Sequence, residues 1–394
     1  MKFARFLIYS TILILPLYYW RFRLAGLPTN FIEILVVLAT LTTVWLKLTG
    51  QLPAKSAFPL KWPIALMLFG VVIGVVVAAD REAALGILKG WFVVPILFFW
   101  TLTVLKDQLN WQALAWLVVI NVNLVAAYAL LQYSNVIGLI AHQNIGGELG
   151  QYIDQKRALA FFESPNYLAM YLVPLLVLAF GYLKSRGIWL LTLILPIAAV
   201  VLSGSRSGIF ALALGAAAVW LLGRKQSRAV TVGTIGLAAV AVIGAVVLMG
   251  NDASSGSLRQ YIWQQSLIFG ADHWLTGIGA GQFQAYFINH ADSTVGAYQF
   301  VLPYALHPHN LFLAFWLSAG LVGLVGFGWL LVELVRLAKP KLGDPLTLGA
   351  FGALLAVLAH GLFDTTFFKN DLSLIFFLIA AIVAGIQNHE SQRV

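Results

Sequence analysis

Residues 307–335 read HPHNLFLAFWLSAGLVGLVGFGWLLVELV, and this stretch decides what kind of molecule the chain is. From Leu311 the run is apolar for longer than the roughly 20 residues that carry a helix across a bilayer core of about 30 Å. His307, Pro308, His309 and Asn310 stand just ahead of it, at the expected first turn of the helix. Two imidazoles are thereby placed at a boundary between water and lipid. They can exchange protons there and meet a substrate carried in the membrane.

The rest of the composition agrees. Of 394 residues 61% are hydrophobic and only 10% charged, with a mean hydropathy of +0.89, whereas soluble domains carry about 25% charged residues. The chain is expected to be an all-α polytopic membrane protein forming a single membrane domain, 1–394. The formal charge of +9 is spread thinly over loops, with no basic block of the kind that binds nucleic acid. Cysteine is absent, which excludes disulfides, thiolate nucleophiles, zinc ribbons and iron–sulfur clusters. Lys2 and Arg5 precede an apolar run from Phe6 to Trp20 with no small-residue cleavage site after it, so a retained first span is expected.

Apolar runs predict about twelve spans, near 6–20, 31–48, 62–79, 83–105, 111–133, 166–183, 188–202, 208–222, 229–250, 310–335, 345–363 and 372–387. With both termini cytoplasmic, the inner segments hold nearly twice the Lys and Arg of the outer ones, the bias that sets orientation. Two long polar loops then face outward, a smaller one at 134–165 and a larger one at 251–308. Five of the seven histidines, His142, His273, His290, His307 and His309, lie in those loops or at their edges. His360 lies near an outer helix end, and only His389 is inside.

Arginines in outer segments are the natural partners of such histidines. Runs 188–202 and 208–222 are short for full crossings, and Ser203-Gly204-Ser205-Arg206-Ser207-Gly208 joins them. An arginine immersed there costs about 2.5–3.5 kcal/mol even on lenient scales, so Arg206 is expected to face a polar cavity or an anion, assisted by the N–H groups of the turn and the following helix. A snorkelling arginine that orients the hairpin is the alternative. In the larger loop, Leu258–Phe269 predicts an amphipathic helix on the outer surface, with Leu258, Ile262, Trp263, Leu267 and Phe269 on its apolar face and Arg259 as its one basic residue. Gly277-Ile278-Gly279-Ala280-Gly281-Gln282-Phe283 lacks the Lys-Ser/Thr of a phosphate loop, so it reads as a tight packing turn. In the smaller loop, Arg157 precedes Asn166 at the mouth of a span, where Asn166 either contacts a sugar or caps the helix.

These features occur in an order that resembles the O-antigen ligase family. The SGSRSG turn, Arg259 followed by Trp263, the GIGAGQF turn and HPHN come in sequence, and His309-Asn310 is followed at fixed spacing by Gly320 and Gly323. The resemblance covers roughly residues 155–365. It implies a GT-C-like glycosyltransferase of the bacterial inner membrane with its site on the periplasmic face. The donor would be a polyprenyl-diphosphate-linked glycan and the transfer inverting, with no metal, nucleotide or other cofactor. In ligases the acceptor is the core of lipid A, in polymerases another lipid-linked repeat, and in protein O-oligosaccharyltransferases a Ser or Thr. One dominant loop favours the ligase, Gly270 eleven positions after Arg259 is a spacing shared with polymerases, and the short C-terminal tail speaks against the protein-glycosylating members. By the match, Arg206 and Arg259 engage the diphosphate and His309 is the essential histidine.

Elementary chemistry runs parallel. A departing lipid diphosphate needs fixed positive charge, which guanidinium groups supply bidentately. A sugar hydroxyl needs a base as its bond forms, and histidine titrates in the right range. His309 is the base candidate, or it only holds the acceptor or a phosphate; Asn310 or a nearby carboxylate would orient it. His307 reads as an auxiliary contact, a surface histidine or half of a metal pair, but no third ligand follows at a usual spacing, so no metal is expected. Gly320 and Gly323 are expected to let a neighbouring helix pack closely. His360 and Asp364, one turn apart at an outer helix end, read as an ordinary polar terminus, with a pair supporting the site from behind as the alternative. A transporter or flippase is the rival class, and Asp80-Arg81-Glu82 is the one outer acidic pair suited to a metal-dependent transferase, although a turn cap explains it equally.

Overall fold

The computed structural model describes residues 1–24, 27–53, 58–138, 156–223, 256–295, 298–302 and 305–386. Every expected span except 229–250 falls on a helix; that one, like His142 and His389, lies outside the described residues. The helices used below are α1 (Lys2–Ile14), α2 (Phe31–Leu48), α3 (Lys61–Val77), α4 (Arg81–Ile87), α5 (Val94–Val104), α6 (Trp111–Tyr133), α7 (Pro165–Leu183), α8 (Ile194–Leu202), α9 (Arg206–Leu222), α10 (Gly256–Asp272), α11 (Phe283–His290), α12 (Tyr298–Val301), α13 (Leu311–Ala338), α14 (Pro345–Gly361) and α15 (Asn370–Gly385). Among the described residues, five helical stretches are long and apolar enough to cross a membrane: Phe31–Leu48, Arg81–Val104, Trp111–Tyr133, Pro165–Leu183 and Leu311–Lys341. One departure from an all-helical chain is a small antiparallel hairpin, Arg21–Leu24 against Leu27–Asn30.

Local chemistry starts the helices where they start. Asn30, Asp80, Asn110, Ser164, Ser205, Asn310 and Asp344 each accept a backbone N–H in the first turn of the helix that follows, a cap worth about 1 kcal/mol. Asp80 is thus a cap, as the bland reading of the acidic pair had it. Helices α7 and α15 are buried along nearly their whole lengths. The helices around them turn large apolar side chains outward, Leu41, Trp45, Phe69, Val76 and Leu124 among them. A polar solvent would penalise that surface; a bilayer does not.

Glycine sets how α3 meets α13. A Cβ on Gly70 would lie 2.3 Å from Gly323 N, and one on Gly326 would lie 2.3 Å from Met67 N, so these helices touch backbone to backbone, as small residues allow. Gly323 therefore does what was expected of it. Gly320 does not. It takes φ 64, ψ −173 and breaks α13, a conformation open to glycine at no steric cost. The groups freed by the break are met by the segment before the glycine-rich turn and by the turn itself. Leu317 O accepts from Ile278 N at 2.8 Å and Gly279 N at 3.2 Å, and Trp274 O accepts from Leu321 N at 3.0 Å. The portion from 321 to 338 is about 27 Å long at 1.5 Å per residue, enough by itself for most of a bilayer core.

The portion before the break belongs with α10. Trp263 Nε1 donates to His309 O at 3.1 Å, Gly270 lies against the Trp316 ring, and Trp274 meets Leu321, so the two segments run side by side. This gives α10 a partner within the protein, and its apolar face is not the expected one. Its buried face is Tyr261, Ile262, Gln265, Ser266 and Phe269, while Leu267 and Ile268 are exposed. Residues 258–305 gather a core of their own, in which Ile262, Phe269, Phe283, Phe287 and Val301 pack with Leu317 of α13.

Candidate active site

The HPHN segment is held in an unusual backbone. Pro308 disfavours a helical conformation at His307, and His309 has φ +48, a region costly for a residue with a Cβ. Asn310 returns to extended geometry and caps α13, its Oδ1 accepting from Phe312 N at 2.9 Å and Leu313 N at 3.0 Å. Its Nδ2 donates to Leu362 O at 3.0 Å. Asn310 is thus engaged in tying two chain segments together.

The tie delivers a carboxylate. Asp364, 1% exposed, accepts from His307 Nε2 at 2.8 Å and from Thr365 N at 3.0 Å, and the same oxygen lies 3.4 Å from His309 Nδ1. The two imidazole rings are 4.1 Å apart. Asp364 is part of the site, not the ordinary helix end expected from sequence. Burial pushes its carboxyl up, but hydrogen bonds and attraction from His307 and His309 outweigh this and hold it well below the usual carboxylate range. His307 is lowered, first by burial and then by the charges of His309 and Arg259, against the opposing pull of Asp364. His360, one turn before Asp364, is buried with neither ring nitrogen hydrogen-bonded among the described residues.

Both candidate arginines enter through aromatic neighbours one turn further on. Arg259 precedes Trp263 on α10, and Arg206 begins α9 four residues before Phe210. Trp263 and Phe210 each pack against Phe363, ring centroids 6.4 Å away in both cases, and Phe363 adjoins Asp364. Three distant stretches of chain therefore meet at one ring, with the histidines and the carboxylate beside it. Arg157 supports the same corner, its Nε donating to Ser203 O at 2.7 Å while Ala158 N donates to Leu202 O.

Other expectations need correction. The SGSRSG turn satisfies several of its own N–H groups: Ser203 Oγ accepts from Ser205 N, Ser205 Oγ accepts from Gly208 N, and Gly204 N donates to Val201 O. The anion site therefore reduces mainly to the exposed Arg206 side chain. Asn166 is not the cap of α7; Ser164 is, through Tyr167 N. The H-x-H pair does find a third potential metal ligand, since His307, His309 and Asp364 offer ligand atoms within 4.8 Å of one another. The 2.8 Å His307–Asp364 distance is itself an ordinary hydrogen bond.

The fold and this cluster define a polytopic, predominantly helical membrane protein with a histidine–carboxylate pair and two arginine-bearing helices meeting beside it. Residues 191–328 match the model of the O-antigen ligase family, and no curated protein matches the chain. That segment, about a third of the chain, is similar to the O-antigen ligase family. The matched segment holds Arg206, Arg259, His307, His309 and Asn310; Asp364, Arg157 and Asn166 lie outside it.

Proposed function

We propose that the protein transfers a glycan from a polyprenyl-diphosphate carrier to an acceptor hydroxyl on the periplasmic face of the bacterial inner membrane, as O-antigen ligation to the core of lipid A. The observation that carries this reading is that Phe210 and Trp263, each one helical turn beyond Arg206 and Arg259, both meet Phe363 beside the His309–Asp364 pair. The acceptor oxygen attacks the anomeric carbon from the face opposite the carrier. The bond from that carbon to the diphosphate oxygen breaks with inversion, and the electron pair leaves with the diphosphate. Arg206 and Arg259 meet the charge that develops on the phosphates. His309 takes the hydroxyl proton, its Nδ1 turned toward Asp364, the arrangement by which a carboxylate orients an imidazole and stabilises its cation. No metal enters this sequence, and about twelve spans of GT-C-like architecture would frame it.

A groove supports a donor carried on lipid. Between α10 and α13 lies a space of about 410 Å³ lined by Trp263, Leu267, Asn310, Phe312, Leu313, Trp316 and Leu324. It extends from the level of His309 to the part of α13 beyond the break, so an apolar chain lying there would keep its head group near Arg259. A polymerase or a protein O-oligosaccharyltransferase differs only in the acceptor. Reconstitution with a lipid-diphosphate glycan and three acceptors, lipid A core, a second lipid-linked repeat and a serine-rich peptide, tests the reading. Transfer to lipid A core in the presence of chelator is the expected result. Transfer to a different acceptor replaces the ligase reading, and loss with chelator replaces the metal-free one.

A further inference from the structure

His307 is fixed along one edge by Asp364, but a single hydrogen bond leaves an imidazole able to swing. Its face is covered from α7. The Tyr167 ring stacks on His307 with centroids 6.2 Å apart and planes inclined by 22°, and the His309 ring is packed against His307 as well. Tyr167 has a second neighbour. Lys369 Nζ stands 3.7 Å from the centre of its ring, within the range in which a cation is attracted to an aromatic face.

Lys369 is placed with unusual firmness for a lysine. It is 7% exposed, its Nζ donates to Tyr18 Oη at 2.6 Å and it pairs with Glu163. Its backbone is fixed too, because it occupies the cap position of α15. Four side chains thus stand in series, Lys369, Tyr167, His307 and His309. The first two lie outside the matched 191–328 segment.

We propose that Tyr167 and Lys369 are positioning residues for the histidine pair: Lys369 holds the Tyr167 ring, and Tyr167 holds His307 in the orientation that keeps its Nε2 on Asp364. Neither residue is one of the reacting groups. Their effect reaches His309 through the shared carboxylate, since a His307 ring that turns away alters the oxygen on which His309 Nδ1 also depends. The inference rests on the transferase reading for its kinetic consequence, but the geometry it asserts can be observed without any reaction.

The test uses the full-length protein in nanodiscs with isotope-labelled histidine. Beside an aromatic face, the His307 ring protons carry a ring-current shift, which His307→Gln identifies by its disappearance. Tyr167→Leu and Lys369→Met are each expected to move that resonance, to lower kcat for glycan transfer by about 10- to 100-fold, the scale on which misplacement by an ångström acts, and to leave KM for the donor near the wild-type value. Tyr167→Phe and Lys369→Arg, which keep the ring and the cation, are expected to restore both readouts. Thermal unfolding of each variant shows whether it is folded. A His307 resonance unmoved in folded Tyr167→Leu overturns the proposal, as do kcat and KM changed together with no rescue by the conservative variants. A wild-type protein inactive with every acceptor, yet showing the expected resonance shifts, would leave the positioning intact and remove the transferase reading instead.

Discussion

Two buried polar clusters lie within one short stretch of the chain, Asp364 to Asn370, and they are built on opposite terms. Around Glu33 both carboxylate oxygens are partnered. Lys89 Nζ lies 2.8 Å from Oε2, Thr29 donates to the same oxygen at 3.0 Å, and Asn370 Nδ2 donates to Oε1 at 3.0 Å. Trp91 Nε1 completes the set on Asn370 Oδ1 at 3.2 Å. Gly90, in a single π-helical turn between α4 and α5, makes the room, since a Cβ there would fall 2.7 Å from Asn370 Nδ2. Around Asp364, His307 Nε2 and Thr365 N donate to one oxygen with His309 Nδ1 3.4 Å away, and His309 has a costly positive φ. The first cluster uses its polar groups to hold helices. The second keeps strain and shifted titrations, which is where chemistry is to be sought.

Mutations should separate the two by kind as well as by size. The largest effect is expected at His309→Ala, with transfer reduced by about 10²–10⁴-fold, the range of a lost general base, and little change in stability. Full activity in that variant would end the mechanism. Arg206→Ala and Arg259→Ala should follow at about 10²–10³-fold, as for loss of one group that stabilises developing charge, with lysine restoring only part because it lacks the bidentate fork. Glu33→Ala should do the reverse. Breaking a buried pair costs about 3–5 kcal/mol, and with Lys89 more than a third exposed a loss of about 2 kcal/mol is the better expectation after screening. Transfer per folded molecule should be unchanged; a matching loss of turnover would show that the clusters are not separable.

Acidification gives the smallest effect. The folded pKa of His307 lies below the ordinary 6.5, so the unfolded chain takes up a proton there before the folded one does. Stability should fall as pH drops from about 6.5 toward that lowered value, because the unfolded state binds more protons across the window. Asp364, held well below 3.8, loses its contribution only under stronger acid. Thermal unfolding from pH 8 to 5 should show the first decline in the wild type and a smaller one in His307→Gln. Equal slopes would place the histidine elsewhere.

Much of this was legible beforehand because the signals were local. Apolar runs gave the helices, Asp80 was readable as a cap, and the family resemblance singled out His309, Arg206 and Arg259. Asp364 was missed because its role depends on Asn310 reaching Leu362, a contact across more than fifty residues that no periodicity reports. The face of α10 was misjudged because Gln265 and Ser266 are buried, Ser266 by bonding back to Ile262 O at 2.7 Å, whereas Leu267 is left outside. The break at Gly320 looked like helix packing because both uses require the same missing side chain.

That break limits how the protein can be re-engineered. Segments 274–279 and 317–321 complete each other's backbone hydrogen bonding, so an exchange of the 256–305 lobe alone between relatives would strand carbonyls and amides far from water. Chimeras intended to move acceptor preference should carry everything from the start of α10 through Gly323 as one cassette, and tags inserted near the glycine turn should be far less tolerated than tags at the chain ends.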